Sequence, residues 1–399
     1  MKHLTATFAA VVAAAMLATG SAPALAQQQK PTIKLGTILP VSGVIASSGL
    51  MFRTGIELGV EDVNAAGGVN GSRIELLVED DKAAPQESVL VYRKLGGGPA
   101  VAAIGPITSS SWENVVPISD RVKLPVMSFT FTFKEGVPHT PYSIGISPDE
   151  RTMIPEAMAE FVKLYPNVKK VVIAGDVQQA SGAAANKLFA QEAKKHNIQV
   201  LETIEFQSTT TDFSPIAIKI KSHNPDAVLS AALPPGMVNL LRELQGQRVD
   251  VPIFNNGMIW PGAFPAIAGP SAGKVHTVGF STNEKTAKNP KHDKYAERFI
   301  QRLTGNSAMP QPPSVGNSVL GYEGVLIIAD ILKQKGMDGN TPTDKARDAI
   351  KDGFAALKGW NDIYDLKINN ERNGYVPAHL LRVDTDRRIW VYAVPDGQR

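Results

Sequence analysis

The sequence predicts an α/β protein made of two doubly wound parallel sheets, and three observations lead there. Short apolar runs alternate with longer stretches whose apolar residues recur at the helical period. The alternation restarts midway, with the same order of elements but no repeat of residues. Two hydroxyl-rich segments directly follow apolar runs, where the carboxyl ends of strands would lie. Strands alternating with helices form parallel sheets covered on both faces.

The first series opens with a strand at Ile33–Leu39. A helix over Phe52–Ala65 carries Ile56, Leu58, Val60 and Val63 near the 3.6 period and stops at Gly67-Gly68. Ile74–Val78 is a strand, Gln86–Leu95 a helix, Val101–Ile104 a buried strand, Trp112–Val122 a helix and Pro125–Phe129 a strand. The second series runs Val168–Ala174 (strand), Ala183–His196 (helix), Val200–Phe206 (strand), Pro215–Ser222 (helix), Ala227–Ala231 (strand) and Met237–Gln247 (helix). Strands at Val251–Phe254 and Val275–Phe280 complete it. The last third adds helical patterns at Lys291–Leu303, Ser318–Lys335 and Thr343–Phe354, then strands at Leu366–Ile368, His379–Val383 and Ile389–Val394. These late helices are expected to return to the first domain and the last strands to join the second.

Composition narrows the function. The 399 residues are 43% hydrophobic and 20% charged, an ordinary globular balance with length for two or three domains. Lys and Arg exceed Asp and Glu by only 41 to 38, with no basic stripe, so nucleic acid is not an expected partner. Cysteine is absent, which excludes thiol catalysis, cysteine-ligated metal and disulfides. Residues 1–26 read as a secretory signal peptide: Lys2, an apolar run from Leu4 to Leu17, and small residues at Ala24-Leu25-Ala26. Cleavage after about Ala26 removes Lys2, taking the net charge from +3 to about +2. The expected location is the periplasm, as a free protein with no lipid anchor.

No G-x-S-x-G, H-E-x-x-H, P-loop or G-x-G-x-x-G motif is present, and the seven histidines lack ligand spacing. No cofactor, metal site or catalytic residue is expected. Glu79-Asp80-Asp81 reads as a solvated strand end. The chemistry concentrates in Gly105-Pro106-Ile107-Thr108-Ser109-Ser110-Ser111-Trp112, between a strand and a helix. Ligands of open parallel sheets bind beyond the strands' carboxyl ends, and a helix start offers unpaired N–H groups and a positive dipole end to an anion. The same serines also serve as helix caps, and the residues alone leave both readings open. Ser128-Phe129-Thr130-Phe131-Thr132 follows the next strand, either as a neighbouring loop or as an extension of that strand.

Six stretches in order give the chain a resemblance over essentially its whole mature length. They are Gly36–Gly43, Gly55–Leu58 running to Asn64–Gly71, Val78–Asp81 with Pro85, Ile104-Gly105 with Ser109–Ser111, Thr211–Ser214 and Asn224–Val228. The chain resembles the leucine/isoleucine/valine-binding family of ABC-transporter solute-binding proteins, the type I periplasmic binding fold. The resemblance implies two lobes, residues 31–144 plus 283–363 and residues 145–282 plus 364–399, joined by hinge crossings near Ile144–Ser147, Gly279–Asn283 and Tyr364–Leu366. It implies a monomer that closes on a small ligand and delivers it to an inner-membrane permease with its ATPase; the same fold as a sensor for a signalling partner is the alternative. It places the ligand carboxylate at Ser109, Thr130 and Thr132, with Ser110 beside them and Trp112 as either a pocket wall or a core residue.

The second lobe departs from the family pattern. Gly175–Gly182 and Leu233–Gly236 lack the family's tyrosines, and Asn255-Asn256-Gly257-Met258-Ile259-Trp260 has no acid to receive an ammonium. A buried ammonium without a counter-charge is costly. The expected ligand is a small apolar or aromatic carboxylate, with Phe129, Phe131, Met258 and Trp260 lining a slot and Gln179 and Asn256 as polar contacts. Branched-chain amino acids are the alternative, should Asp176 turn inward.

Overall fold

The computed structural model describes residues 30–131, 138–285 and 289–395. The expected signal peptide and Thr132 lie outside the described residues. Among the described residues no helix is long and apolar enough to cross a membrane.

The first sheet pairs β1 (Ile33–Leu39), β2 (Ile74–Asp80), β3 (Ala100–Ile104), β4 (Val126–Ser128) and β5 (Ser143–Gly145), all parallel, in the order β2-β1-β3-β4-β5. Three helices connect them: α1 (Ala46–Ala65), α2 (Pro85–Gly96) and α3 (Ser109–Val122). β3 is Ala-Val-Ala-Ala-Ile, buried throughout, as a central strand covered on both faces must be.

From β5 the chain passes to the second sheet and forms α4 (Glu150–Leu164). It continues as β6 (Lys170–Asp176), α5 (Ala180–Lys195), β7 (Gln199–Phe206), α6 (Ser214–His223), β8 (Ala227–Ala231) and α7 (Pro234–Gly246). Next come β9 (Ile253–Asn255), the short α8 (Phe264–Ile267), a 3-10 turn at Pro270–Lys274 and β10 (Val275–Gly279). The chain then returns to the first sheet as α9 (Pro290–Leu303), α10 (Ser318–Gln334) and α11 (Thr343–Ala356). α10 lies close along α1: a Cβ on Gly55 would stand 2.2 Å from the Ser318 carbonyl, so only glycine permits that approach. The third passage runs through a small sheet of β11 (Gly359–Asn361), β12 (Asp365–Ile368) and β13 (Gly374–Tyr375). Finally β14 (His379–Asp384) and β15 (Ile389–Tyr392) add antiparallel to the second sheet, whose order is β15-β14-β10-β9-β8-β6-β7.

The elements differ from the sequence reading in one consequential place. The sequence predicts no element over 150–164, where the structure has α4. Its buried stripe of Met153, Ile154, Ala157, Met158 and Phe161 is helical in period, but Pro155 interrupts the pattern in the second turn. Asp149 caps this helix through the Arg151 N–H.

Candidate functional site

Each parallel sheet reverses its strand order once. In the first, β1 lies between β2 and β3; in the second, β6 lies between β7 and β8. At such a reversal the loops leave in opposite directions and open a crevice beyond the carboxyl ends of the strands. The two crevices face each other. Between them is a narrow cleft of about 60 Å³, lined by Ile45, Ser48, Ile107, Thr108 and Ser109 from one sheet's loops and by Gln179, Ser181, Leu233 and Pro234 from the other's. Among the described residues no charged side chain lines it.

The first wall is set by Gly105. Its φ is +108°, and a Cβ there would stand 2.1 Å from the Ile38 carbonyl. The chain turns tightly into α3 at this point. Thr108 caps α3 in extended conformation without a side-chain cap bond of its own, so the first N–H groups of the helix point outward without that partner. The three serines then diverge. Ser109 lines the cleft. The Ser110 hydroxyl accepts the Ala180 N–H from the opposite lobe at 3.1 Å. Ser111 turns inward and pairs with Ser88 at 2.8 Å. The second hydroxyl loop is tied to this one: Ser128 donates to the Pro106 carbonyl at 3.2 Å and accepts the Thr130 N–H at 3.1 Å. Thr130 is buried, its hydroxyl 3.1 Å from Ser128. Phe131 lines the cleft and stacks on Trp260, ring centres 6.0 Å apart. Thr108 Oγ1 and Asn317 Oδ1 are buried cleft-lining atoms with no hydrogen-bond partner among the described residues.

Behind the opposite wall stands an acid that the loop sequences do not contain. Glu150, at the first turn of α4, is 1% exposed. Its Oε1 accepts the Ser181 hydroxyl at 2.6 Å and the Asn256 amide at 2.7 Å. The Asn256 amide also donates to Ser181 at 3.1 Å. Gln179 lines the cleft and donates to Ser208 at 3.0 Å. Met258 lines it as well. Asp176 does not turn inward: the Ser208 hydroxyl and the Gln178 N–H hold it, and burial pushes its carboxyl above the usual aspartate value.

Of the residues singled out in the sequence, Ser109, Phe131, Gln179 and Met258 line the cleft. Ser110, Thr130, Asn256 and Trp260 lie outside that lining, each bonded or stacked as described. Trp112 corrects the expectation of a pocket wall. It is buried in a separate cluster with Tyr92, Leu95, Val115 and Leu124, tilted against His139 at 5.5 Å. An indole gains more by filling the space between α3, α2 and the sheet than by standing at a polar helix end. Phe129 likewise stacks on Phe52, at 5.2 Å, and it is Phe52 that reaches the cleft. The sequence reading missed Ile45, Ser48, Ser181 and Asn317, whose elements meet only after folding, and Glu150, whose helix it missed.

A family model described as periplasmic binding protein matches residues 32–384. The leucine-, isoleucine-, valine-, threonine-, and alanine-binding protein of Pseudomonas aeruginosa is 24% identical over 325 residues, spanning 80% of this chain and 82% of that protein. Among solved structures, a leucine-binding protein from Thermotoga maritima gives a TM-score of 0.78 at 19% identity, covering 91% of this chain and 98% of that one. An ABC-transporter solute-binding protein from R. palustris in complex with benzoate gives 0.77 at 19% identity, over 92% and 98%. At such identities these structural likenesses speak for the fold.

Proposed function

The chain belongs to the periplasmic binding protein family, whose members bind solutes and are not enzymes, and from that premise we propose that it captures a small apolar or aromatic carboxylate in the interlobe cleft for an ABC importer. One observation carries this reading: the start of α3, which the Thr108 side chain leaves uncapped, with Ser109 beside it, opens into a cleft whose lining among the described residues is otherwise mostly apolar and bears no charge. Backbone N–H groups at a helix start hold an anion without a cation. Micromolar binding needs about −8 kcal/mol. Two or three hydrogen bonds to a carboxylate, at roughly 1.5–3 kcal/mol each, and one buried ring or branched chain, about 2 kcal/mol, reach that range before ordering costs. Both the amino acids named for the Pseudomonas relative and the benzoate of the R. palustris protein carry a carboxylate. Residues 1–26 act as the export leader in this reading, and a permease with its ATPase receives the cargo.

A second reading, branched-chain amino acids as cargo, is favoured by Glu150, which places a carboxylate one residue behind the cleft wall. Calorimetry with benzoate and leucine tests the common part. Ser109→Ala is expected to weaken binding of whichever carboxylate is held by about tenfold while the melting temperature without ligand stays the same. Unchanged affinity would remove the α3 terminus as the anion site.

A further inference from the structure

The proton bookkeeping of the wall opposite α3 makes it an acceptor surface, and from it we infer that the cargo is a carboxylate carrying a neutral hydroxyl donor, read by Ser181, whose own proton Glu150 holds. This inference rests on the carboxylate reading above and sharpens it.

A carboxylate only accepts, so both groups facing Glu150 Oε1 must donate. Ser181 has one proton, and it goes to Glu150 at 2.6 Å. The orientation of the Asn256 amide is forced the same way: its nitrogen faces Glu150 at 2.7 Å and Ser181 at 3.1 Å. What remains toward the cleft is a lone pair on the Ser181 hydroxyl, which lines it; Asn256, fully buried outside that lining, stands behind Ser181. Glu150 thus locks the Ser181 hydroxyl into an acceptor toward the cleft. A second carboxylate oxygen or a bare ring edge placed there leaves a desolvated acceptor unsatisfied, whereas a hydroxyl satisfies it. The wall also discriminates between donors. The carboxylate of Glu150 is not among the cleft-lining groups; it stands behind Ser181. A neutral donor needs only the serine oxygen, while an ammonium needs the charge in contact. The cleft is therefore polarised: donors at the start of α3 for the acid end of the cargo, an acceptor at α5 for its alcohol.

Two matched series on the full mature chain test this by calorimetry: benzoate against 3- and 4-hydroxybenzoate, and 4-methylpentanoate against 2-hydroxy-4-methylpentanoate and leucine. The expected result is that in at least one series a hydroxylated member binds at least about tenfold tighter than its unsubstituted twin. Ser181→Ala lowers the melting temperature, because Glu150 loses a donor, but under conditions where it stays folded it is expected to erase that preference while the unsubstituted twin binds as before. Glu150→Gln, which keeps an acceptor oxygen for Ser181, is expected to change hydroxyl binding by less than about threefold. Equal binding of hydroxylated and unsubstituted acids in both series overturns the inference and leaves the carboxylate reading standing. So does a preference for leucine over its hydroxy analogue that disappears in Glu150→Gln. Failure of every acid to bind overturns the carboxylate reading and this inference with it.

Discussion

Ser109, Ser110 and Ser111 are adjacent in the chain and go to three different places: the cleft, the opposite lobe and the protein interior. Their chemistry is identical, so only the helical rotation of about 100° per residue separates their roles, and a sequence shows that rotation only when the start of the helix is known. Ser109 was legible because a strand end and a helix start bracket it. Glu150 was not, because its partners Ser181 and Asn256 lie 31 and 106 residues away. Another buried acid, Glu323 of α10, has a different task. Its Oε1 accepts the N–H groups of Ile363 and Tyr364 at 3.0 and 3.1 Å, holding the third passage between the lobes, while Oε2 is buried without a partner among the described residues. Burial pushes this carboxyl up to about 8. A folded-state value above the unfolded one makes stability greatest below the unfolded value near 4.5 and progressively lost as pH rises towards 8. Glu323→Gln keeps the accepting oxygen and removes the titration. It is expected to be more stable than wild type by about 1–3 kcal/mol at pH 8 and to converge on it near pH 4.5, as read by chemical denaturation across that range.

At the scale of elements, the site is made by connections rather than by strands or helices themselves. Strands whose residues are continuously apolar and buried, such as β3 and β8, were legible because both faces of a parallel strand are covered. The three-residue β5 and the two-residue β13 were not, since their pairing is set by what lies beside them. α4 was hidden by Pro155 although its apolar stripe is regular. The connection after β3 depends on one residue. Gly105→Ala forces a side chain into a left-handed backbone and against the Ile38 carbonyl, and is expected to cost about 3 kcal/mol. Because the loop sets where α3 begins, the same substitution is expected to lower affinity for the cargo as well. A loss of stability with unchanged affinity would mean that the loop is not what positions Ser109.

For the whole molecule, the two sheets present their reversal points to each other, and contacts across the cleft hold them together. The Ala180 N–H reaches Ser110, the Glu150 N–H reaches the Phe131 carbonyl at 2.7 Å, and the Gly262 N–H reaches the Met51 sulfur at 3.2 Å. Ser110→Ala removes one of these without touching the cleft lining. It is expected to weaken cargo binding about three- to tenfold through a smaller closed fraction, and to raise the radius of gyration in X-ray scattering without ligand. If scattering is unchanged while affinity falls, Ser110 contacts the cargo itself. The two-sheet architecture was legible because the order of elements repeats; the way the sheets meet was not, because no local pattern encodes a contact between residues 110 and 180.

Trp260 lies where these movements converge. Its ring stacks on Phe131 of one lobe and meets Phe280, at the second passage, edge to face, and its indole N–H donates to the Ser281 carbonyl at 3.0 Å. Parting the halves strips one aromatic neighbour from the indole and wets that face. If the proposed capture of cargo closes the halves, the indole becomes an optical stopwatch for it: iodide quenching of this emission, followed in rapid mixing, is expected to fall as cargo is taken up.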